Sequence, residues 1–218
     1  MNALDYIIKK YNIDLNKESP IEIPNAGRDD LAKLFNELDF KTGAEIGVAS
    51  GEYSKKLCEA NPQTKIYGID AWEAYGEYPD YSAEELNLYY EEVKNYFASF
   101  PNYEIIKEFS MDAVKKFEDN SLDFVYIDGN HQEPYITEDI TEWSKKVRSG
   151  GIISGHDYVR GSKKKEGSDS DIIRFNVVEA INKFTKDNNI KPWFVLGSKN
   201  KAPGIIRDNT RSWFWVKP

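Results

Sequence analysis

Residues 43–51 read GAEIGVASG, and residues 66–70 read IYGID. The first segment is typical of a short buried strand, Ala44 to Gly47, that breaks into a glycine-rich turn, with a helix beginning near Glu52. The second is typical of another buried strand that ends in an acid, Asp70. A strand, a glycine turn, a helix and an acid-tipped strand predict a nucleoside-binding crevice at the carboxyl ends of parallel strands.

The spacing of the glycines and the charges beside them argue against a dinucleotide. A dinucleotide fingerprint requires Gly-x-Gly-x-x-Gly, whereas here Gly47 and Gly51 frame Ala49 at the middle position. Glu45 and Glu52 flank the turn, and their charges would repel a diphosphate. They suit a ligand without phosphate that carries cationic groups, such as S-adenosylmethionine with its ammonium and sulfonium. We therefore predict a methyl-donor site.

The composition limits the partners and the compartment. The chain has 218 residues, of which 40% are hydrophobic, enough for one sizeable α/β core, and its formal net charge is −8. Because phosphate groups repel such an acidic chain, we expect neither nucleic acid nor membrane as a partner. The single cysteine, Cys58, allows no intrachain disulfide, and residues 1–5 show neither a signal peptide nor a long apolar run. We expect a cytoplasmic enzyme.

The rest of the chain alternates between helical and apolar extended segments. This alternation predicts a Rossmann-like, doubly wound α/β fold, with a mostly parallel seven-stranded sheet and helices on both faces. Residues 1–40 are expected to form a small N-terminal helical cap, with an extended linker between Pro20 and Pro24, and residues 41–218 the cofactor-binding domain. The last long helix is expected from Ile172 to Lys186, before a β-rich end.

Two long polar connections leave the predicted carboxyl ends of strands, where lids and binding loops are common. The first combines aromatic residues, which suit a sugar ring or an aromatic acceptor, with acids: Trp72, Glu73, Tyr75, Glu77, Tyr78, Asp80 and Tyr81. The second carries a basic run, which is either a solvated loop or a lid for an anionic substrate: Arg160, Lys163, Lys164 and Lys165.

In its motifs and their order, the chain resembles the class I S-adenosylmethionine-dependent methyltransferases, from about Gly43 to the C-terminus. Within that superfamily it is similar to a small bacterial and phage-type subgroup that includes sugar and macrolide O-methyltransferases. The motifs are residues 45–51 (EIGVASG), 68–70 (GID), 109–112 (FSMD), 124–131 (FVYIDGNH) and 150–157 (GGIISGHD).

The resemblance implies a set of cofactor contacts along the carboxyl ends of the strands. Asp70 would accept hydrogen bonds from the ribose hydroxyls, unless it only caps the turn, and Glu45 would lie near the methionine end. Trp72 either covers the adenosine or belongs to the core. The expected cofactor-binding residues are Glu45, Gly47, Ala49, Gly51, Asp70, Trp72, Ser110, Met111 and Asp128.

The chain has only two histidines, His131 and His156, and both lie just past predicted strand ends. An alcohol that attacks a sulfonium methyl must lose a proton, and histidine is well suited to accept one near neutral pH. We predict His131 as general base, with Asp128 as a second catalytic residue; alternatively, His131 fixes a loop. Asp139 on the following helix is a candidate to orient the imidazole.

Asp128, His156 and Asp157 form a candidate metal site. Metal-dependent relatives place one acid after the fourth strand and an acid pair after the fifth, and this chain has a histidine at one of those positions. Because Mg²⁺ prefers all-oxygen ligands, His156 favours Mn²⁺ or Zn²⁺ over Mg²⁺. The alternative is that these side chains shape the substrate pocket.

The sequence thus predicts an S-adenosylmethionine-dependent methyltransferase that acts on a hydroxyl of a small polar acceptor, such as a sugar, a glycan or a natural product. One alternative is a binding protein that keeps the cofactor site without catalysis, and a weaker one is an NAD-linked oxidoreductase. O- against N-methylation stays open. A homo-oligomer also stays open, since the apolar run at 213–215 suits either a sheet interior or a dimer edge.

Overall fold

The computed structural model describes residues 1–74, 81–164 and 172–218. The α-helices in these residues are Ala3–Tyr11 (α1), Arg28–Glu37 (α2), Glu52–Ala60 (α3), Ala83–Phe97 (α4), Ser110–Ala113 (α5), Tyr135–Lys146 (α6) and Val177–Asp187 (α7). The strands are Ile21–Ile23 (β1), Thr42–Ile46 (β2), Lys65–Asp70 (β3), Tyr103–Lys107 (β4), Leu122–Ile127 (β5), Val147–Gly155 (β6), Gly161–Lys164 (β7), Ile172–Phe175 (β8), Phe194–Leu196 (β9) and Trp213–Val216 (β10).

One sheet of eight strands organises the molecule, in the order β1-β9-β10-β6-β5-β2-β3-β4. Strand β10 pairs antiparallel with β6 and β9, and the other pairings in this sheet are parallel. The strand order reverses at β2, because β3 and β4 lie on one side of it and β5 and β6 on the other. The predicted mostly parallel, Rossmann-like α/β fold is confirmed, with eight strands in place of seven.

The additional strand is β1, in the segment predicted as an extended linker. Ile21 and Ile23 are buried and pair in parallel register with Phe194 and Leu196 of β9. Three residues between two prolines give no periodic signal, and their pairing partner lies far along the chain. Helices α1 and α2 precede and follow β1 in the chain. Helix α1 contributes Ile7 to the hydrophobic core, and α2 contributes several apolar side chains.

Both faces of the sheet are covered, which explains the nearly continuous apolar strands. On β5, Phe124 belongs to the hydrophobic cluster shared with α1–α4, and the next residue, Val125, belongs to the cluster shared with α5–α7. The same alternation places Trp213 and Trp215 on one face and Phe214 on the other, all buried. The apolar run at 213–215 therefore lies inside the sheet, between β6 and β9.

The last helix begins later than predicted. Ile172–Phe175 forms β8, which pairs antiparallel with Gly161–Lys164 (β7), and α7 begins at Val177. The β-branched and aromatic residues in the sequence of β8 favour extended structure when a second strand lies beside them. Other residues of the two predicted lids lie outside the described part of the chain: Tyr75, Glu77, Tyr78, Asp80 and Lys165.

None of the helices in residues 1–74, 81–164 and 172–218 combines the length and the apolar character that crossing a bilayer requires.

Phe124 gives a test of the core. Its ring is fully buried and stacks on Phe35 with 3.9 Å between ring centroids. We expect Phe124→Ala to lower the free energy of unfolding by about 3–5 kcal/mol, because it leaves a cavity under α2. Denaturant unfolding measures this loss. Leu88→Ala, at a side chain 56% exposed on α4, should change it by less than about 0.5 kcal/mol; equal losses would contradict the packing described.

Candidate active site

A cavity of about 560 Å³ opens at the carboxyl ends of the central strands. This volume is in the range of small-molecule sites. Of the predicted site residues, only Gly51 and Trp72 do not line it. The predicted residues that do are Glu45, Gly47, Ala49, Asp70, Ser110, Met111, Asp128, His131, His156 and Asp157.

Asp70 ties the glycine turn to the end of β3. Its Oδ2 accepts hydrogen bonds from the backbone N–H groups of Val48 and Ala49, both at 2.9 Å. Its Oδ1 accepts one from the backbone N–H of Trp72 at 2.8 Å. Asp70 therefore caps the turn. A carboxylate offers about four acceptor positions, so one on Oδ1 remains for a ligand hydroxyl.

Trp72 lies behind the turn rather than over the cavity. Its indole Nε1 donates a hydrogen bond to the carbonyl of Ala49 at 2.9 Å, and its ring packs on Tyr90 with 5.2 Å between centroids. The side chain is buried. The structure thus places Trp72 in the core, which is the second of the two predicted positions. The backbone turns back at Trp72, whose φ is +44°.

Gly47 allows the backbone of the turn to pass close to the end of β5. Its φ is +88°, and a Cβ at this position would overlap the carbonyl oxygen of Asp128. Ala49 also has a positive φ, of 48°. A left-handed alanine costs roughly 1–2 kcal/mol. The hydrogen bonds to Asp70 and from Trp72 hold Ala49 in this conformation.

Glu45 is 1% exposed and belongs to a buried chain of hydrogen bonds. Ser54 Oγ donates to its carboxyl group, and the Tyr103 hydroxyl donates to Ser54 Oγ at 3.0 Å. Burial raises the pKa of Glu45 to about 8, although the hydrogen bond from Ser54 opposes this. The side chain therefore carries a proton at neutral pH, although the charge of Arg28 also opposes the shift.

The two histidines and two aspartates form one cluster. His131 Nε2 lies 2.8 Å from Asp157 Oδ2 and 3.6 Å from Asp128 Oδ1. His156 Nδ1 lies 3.4 Å from Asp157 Oδ2 and 3.8 Å from Asp128 Oδ1. The strand ends of β5 and β6, adjacent in the sheet, bring these four residues together.

The carboxylates set the charge state of this cluster. Burial alone would lower the pKa of His131, but the hydrogen bonds to Asp128 and Asp157 outweigh it and raise that pKa to about 10. The pKa of His156 is raised for the same reason, against burial. The two imidazoles hold the pKa of Asp157 below its usual range, although burial opposes them. His131 is therefore protonated at neutral pH.

The donor atoms available to a metal differ from the predicted set. Oxygen or nitrogen atoms of Asp128, His131 and Asp157 lie within 4.8 Å of one another, with His131 in the place predicted for His156. Two carboxylates and an imidazole suit Mn²⁺ or Zn²⁺ better than Mg²⁺. The same atoms also neutralise one another, since His131 already forms an ion pair with Asp157.

Asp139 has a different partner from the predicted one. Ser110 Oγ donates a hydrogen bond to Asp139 and accepts one from Trp143 Nε1 at 2.8 Å. Burial raises the pKa of Asp139 to about 7, although the hydrogen bond from Ser110 opposes this. Asp139 therefore lines the end of the cavity beside Ser110 instead of orienting His131.

Arg28 also lines the cavity, although nothing in the sequence pattern predicts it there. It is the first residue of α2. Its guanidinium lies 5.1 Å from the centroid of the Tyr53 ring, and its Nη1 lies 3.9 Å from Asp128 Oδ2. No local motif marks this residue, because the fold brings it to the site from outside the glycine-turn region.

A family model described as a methyltransferase domain matches residues 44–158, more than half of the chain. The chain belongs to this methyltransferase family. Membership agrees with the position of the cavity at the strand-order reversal, and it makes S-adenosylmethionine the expected cofactor. A search of curated proteins finds no match to this chain.

Solved structures share the fold of this chain at low sequence identity. An O-methyltransferase family protein from Burkholderia thailandensis is 11% identical, with a TM-score of 0.57, over 87% of this chain and 55% of that chain. A precorrin-6y C5,15-methyltransferase from Geobacter metallireducens is 14% identical, with a TM-score of 0.53, over 85% of each chain. A spermidine synthase from Thermotoga maritima is 14% identical, with a TM-score of 0.56, over 88% of this chain and 60% of that chain.

At such low identities, these likenesses establish the fold alone. One of the three similar proteins is named as a synthase rather than a methyltransferase. The chain spans about half the length of the Burkholderia protein, 55% of it.

Glu45 gives the stability of the protein a specific pH dependence. Its pKa rises from the usual 4.5 to about 8 on folding. Its neutral form therefore supports the fold fully below pH 4.5, and that support is lost as pH rises through 8. Glu45→Gln keeps an acceptor for Ser54 without a charge. Between pH 5 and 8, we expect wild type to lose at least about 1 kcal/mol more unfolding free energy than the variant.

Denaturant unfolding of both proteins at pH 5 and pH 8 measures this difference. Asp139 titrates in the same window but is present in both proteins, so its effect cancels. Parallel pH dependences in wild type and Glu45→Gln would show that the carboxyl group of Glu45 is not held neutral by burial.

Proposed function

We propose that the chain transfers the methyl group of S-adenosylmethionine to an oxygen of a small polar acceptor, such as a sugar, a glycan unit or a natural-product hydroxyl. The observation that supports this best is the cavity at the strand-order reversal, beside the glycine turn that Asp70 anchors. The chain that carries this cavity belongs to a methyltransferase family. The acidic lining favours a cationic ligand over a diphosphate.

The proposed cofactor orientation follows the order of the strands. Ser110, Met111 and the Asp139 carboxyl group, beyond β4, would hold the adenine. Asp70, at the end of β3, would hold the ribose hydroxyls through the acceptor position that remains on Oδ1. Glu45 on β2 would face the amino-acid end, whose ammonium would favour the ionised form of that carboxyl group. The ends of β5 and β6 would then face the methyl group.

Methyl transfer is a single displacement. S-adenosylmethionine, when bound, would supply an electrophilic methyl group whose carbon–sulfur bond breaks as the acceptor oxygen bonds to the methyl carbon, with the electron pair left on sulfur. Because His131 is protonated without ligand, we propose that the positive charges of the cofactor lower its pKa, so that its proton leaves to solvent before reaction. The neutral imidazole would then accept the proton of the acceptor hydroxyl. Asp128 and Asp157 then orient the imidazole and the acceptor.

Aromatic side chains at the mouth of the cavity support a ring-shaped acceptor. Phe109 is 38% exposed and Tyr135 is 40% exposed, and both line the cavity together with Tyr81. Exposed aromatic faces are suited to the apolar face of a sugar or to an aromatic ring. The aromatic acceptor surface is thus proposed on these residues rather than on Trp72.

Metal dependence belongs to this proposal as a separate question. A Mn²⁺ or Zn²⁺ ion held by Asp128, His131 and Asp157 would polarise acceptor oxygens. Titration calorimetry with Mn²⁺, Zn²⁺ and Mg²⁺ distinguishes a metal site from an ion-pair cluster. Binding that is lost in Asp157→Asn supports the metal site, and no binding by wild type supports the ion-pair cluster.

Calorimetry with S-adenosylhomocysteine tests the cofactor site. We expect micromolar-range binding by wild type, and at least about tenfold weaker binding by Asp70→Ala, because this variant loses the ribose acceptor and the support of the turn. Asp112→Ala removes an exposed acid that lies outside the cavity and should bind like wild type. No binding to wild type, with stabilisation by NAD instead, would favour the oxidoreductase alternative.

His131→Ala tests catalysis separately from binding. In an acceptor screen among sugars and nucleotide-sugars, we expect the variant to lower kcat by about 10²–10⁴-fold, because it loses the base, while affinity for S-adenosylhomocysteine stays within about threefold. Unchanged kcat would remove His131 from the mechanism. Binding of S-adenosylhomocysteine by wild type without turnover on any acceptor would support the non-catalytic alternative.

A further inference from the structure

The cavity carries far more negative than positive side chains. Its lining includes nine acidic residues: Glu45, Glu52, Asp70, Glu73, Glu108, Asp128, Glu138, Asp139 and Asp157. Burial raises the pKa of two of them, Glu45 and Asp139, towards or above neutrality. Within the part of the chain that the structure describes, the lining includes one lysine or arginine, Arg28. Its two histidines, His131 and His156, already pair with Asp128 and Asp157.

This imbalance creates a specific problem for the proposed cofactor. S-adenosylmethionine has an ammonium and a sulfonium, which the acids attract, but its amino-acid end also carries a carboxylate. A carboxylate transferred from water into a cavity of like charge is unfavourable unless a cation with N–H donors faces it. The ligand therefore requires a cationic partner at the end of the cavity that holds its amino-acid group.

Arg28 lies at that end. It is near Asp128, at the end of β5, and its charge acts on Glu45, at the end of β2. Its side chain is 35% exposed, and its 3.9 Å separation from Asp128 is an ion pair too long for a hydrogen bond. A planar guanidinium has five N–H donors, two of which match the two oxygens of a carboxylate.

The backbone of Arg28 is fixed in place before any ligand binds. The Tyr53 hydroxyl donates a hydrogen bond to the Arg28 carbonyl at 3.0 Å, and the Tyr53 ring lies under the guanidinium. The preceding residue, Gly27, donates its N–H to Asp30 Oδ2 at 3.0 Å, and this hydrogen bond fixes the first turn of α2. Such preorganisation reduces the entropy cost of binding.

We propose that Arg28 binds the carboxylate of the methionine part of S-adenosylmethionine and thereby selects ligands that carry an intact amino-acid group. This inference rests on the proposed function. It makes the N-terminal segment, which lies outside the matched residues 44–158, a part of the cofactor site.

Two ligands that differ only in that carboxylate test the proposal. Titration calorimetry compares S-adenosylhomocysteine with its decarboxylated analogue, which keeps the adenosine, the thioether and the ammonium. We expect wild type to bind S-adenosylhomocysteine at least about tenfold more tightly than the analogue, because the carboxylate adds a pair of charge-assisted hydrogen bonds. In Arg28→Gln this preference should fall to less than about threefold, mainly through weaker binding of S-adenosylhomocysteine.

Two further variants serve as controls. Lys33→Gln removes one positive charge from the exposed face of the same helix, where Lys33 pairs with Asp30, and should keep the wild-type preference. Arg28→Lys keeps the charge but loses the paired N–H donors of the guanidinium. It should give an intermediate preference for S-adenosylhomocysteine over the decarboxylated analogue. Thermal unfolding of each variant establishes that it is folded, and Arg28→Lys alone decides the question if Arg28→Gln does not fold.

The outcomes separate this inference from the function on which it rests. Equal weakening of both ligands in Arg28→Gln, or an unchanged preference, would overturn the role of Arg28 while leaving the cofactor site intact. Failure of wild type to bind either ligand would instead overturn the proposed function. A preference in wild type that Arg28→Gln abolishes and Lys33→Gln retains supports the inference.

Discussion

The carboxylate of Asp70 accepts hydrogen bonds from three backbone N–H groups, two in the glycine turn and one at Trp72. The turn needs such an anchor because it contains the positive φ angles of Gly47 and Ala49, the second of which is costly for a residue with a side chain. With the turn held in place, the ends of β2, β3 and β5 face one cavity. Asp70 is thus a structural residue first, and its role towards a ligand depends on the acceptor position that remains.

Electrostatics divides the cavity into two ends with different behaviour. Near Ser110, burial raises the pKa of Asp139 to about 7, so this carboxyl group is only partly ionised at neutral pH. Near the ends of β5 and β6, the carboxylates of Asp128 and Asp157 favour the protonated form of both imidazoles, and the imidazoles favour the ionised form of Asp157. A neutral heterocycle suits the first end, whereas ions and reacting polar groups suit the second. The proposed cofactor has this distribution of polarity along its own length.

The sequence predicts those parts of the fold and site that depend on local pattern. The glycine turn, the acid at the end of β3 and the histidines after β5 and β6 are local features, and the structure brings them to one cavity. Strand β1 was missed because three residues between prolines carry no period, and the start of α7 was misplaced because β8 requires its partner strand. Arg28, and the partner of Asp139, depend on contacts between distant segments that no spacing within the sequence indicates.

Among the residues that the structure describes, β1 pairs with β9 alone, so residues 21–23 find their place in the sheet through residues 194–196. Contacts between such distant segments carry a large loop-closure entropy, and they are slow to form for that reason. Residues 24–27 separate β1 from Arg28, which lines the cavity. The proposed carboxylate-binding residue is therefore positioned by a contact between segments far apart in the chain, so that ligand affinity would report on whether the final strands have docked.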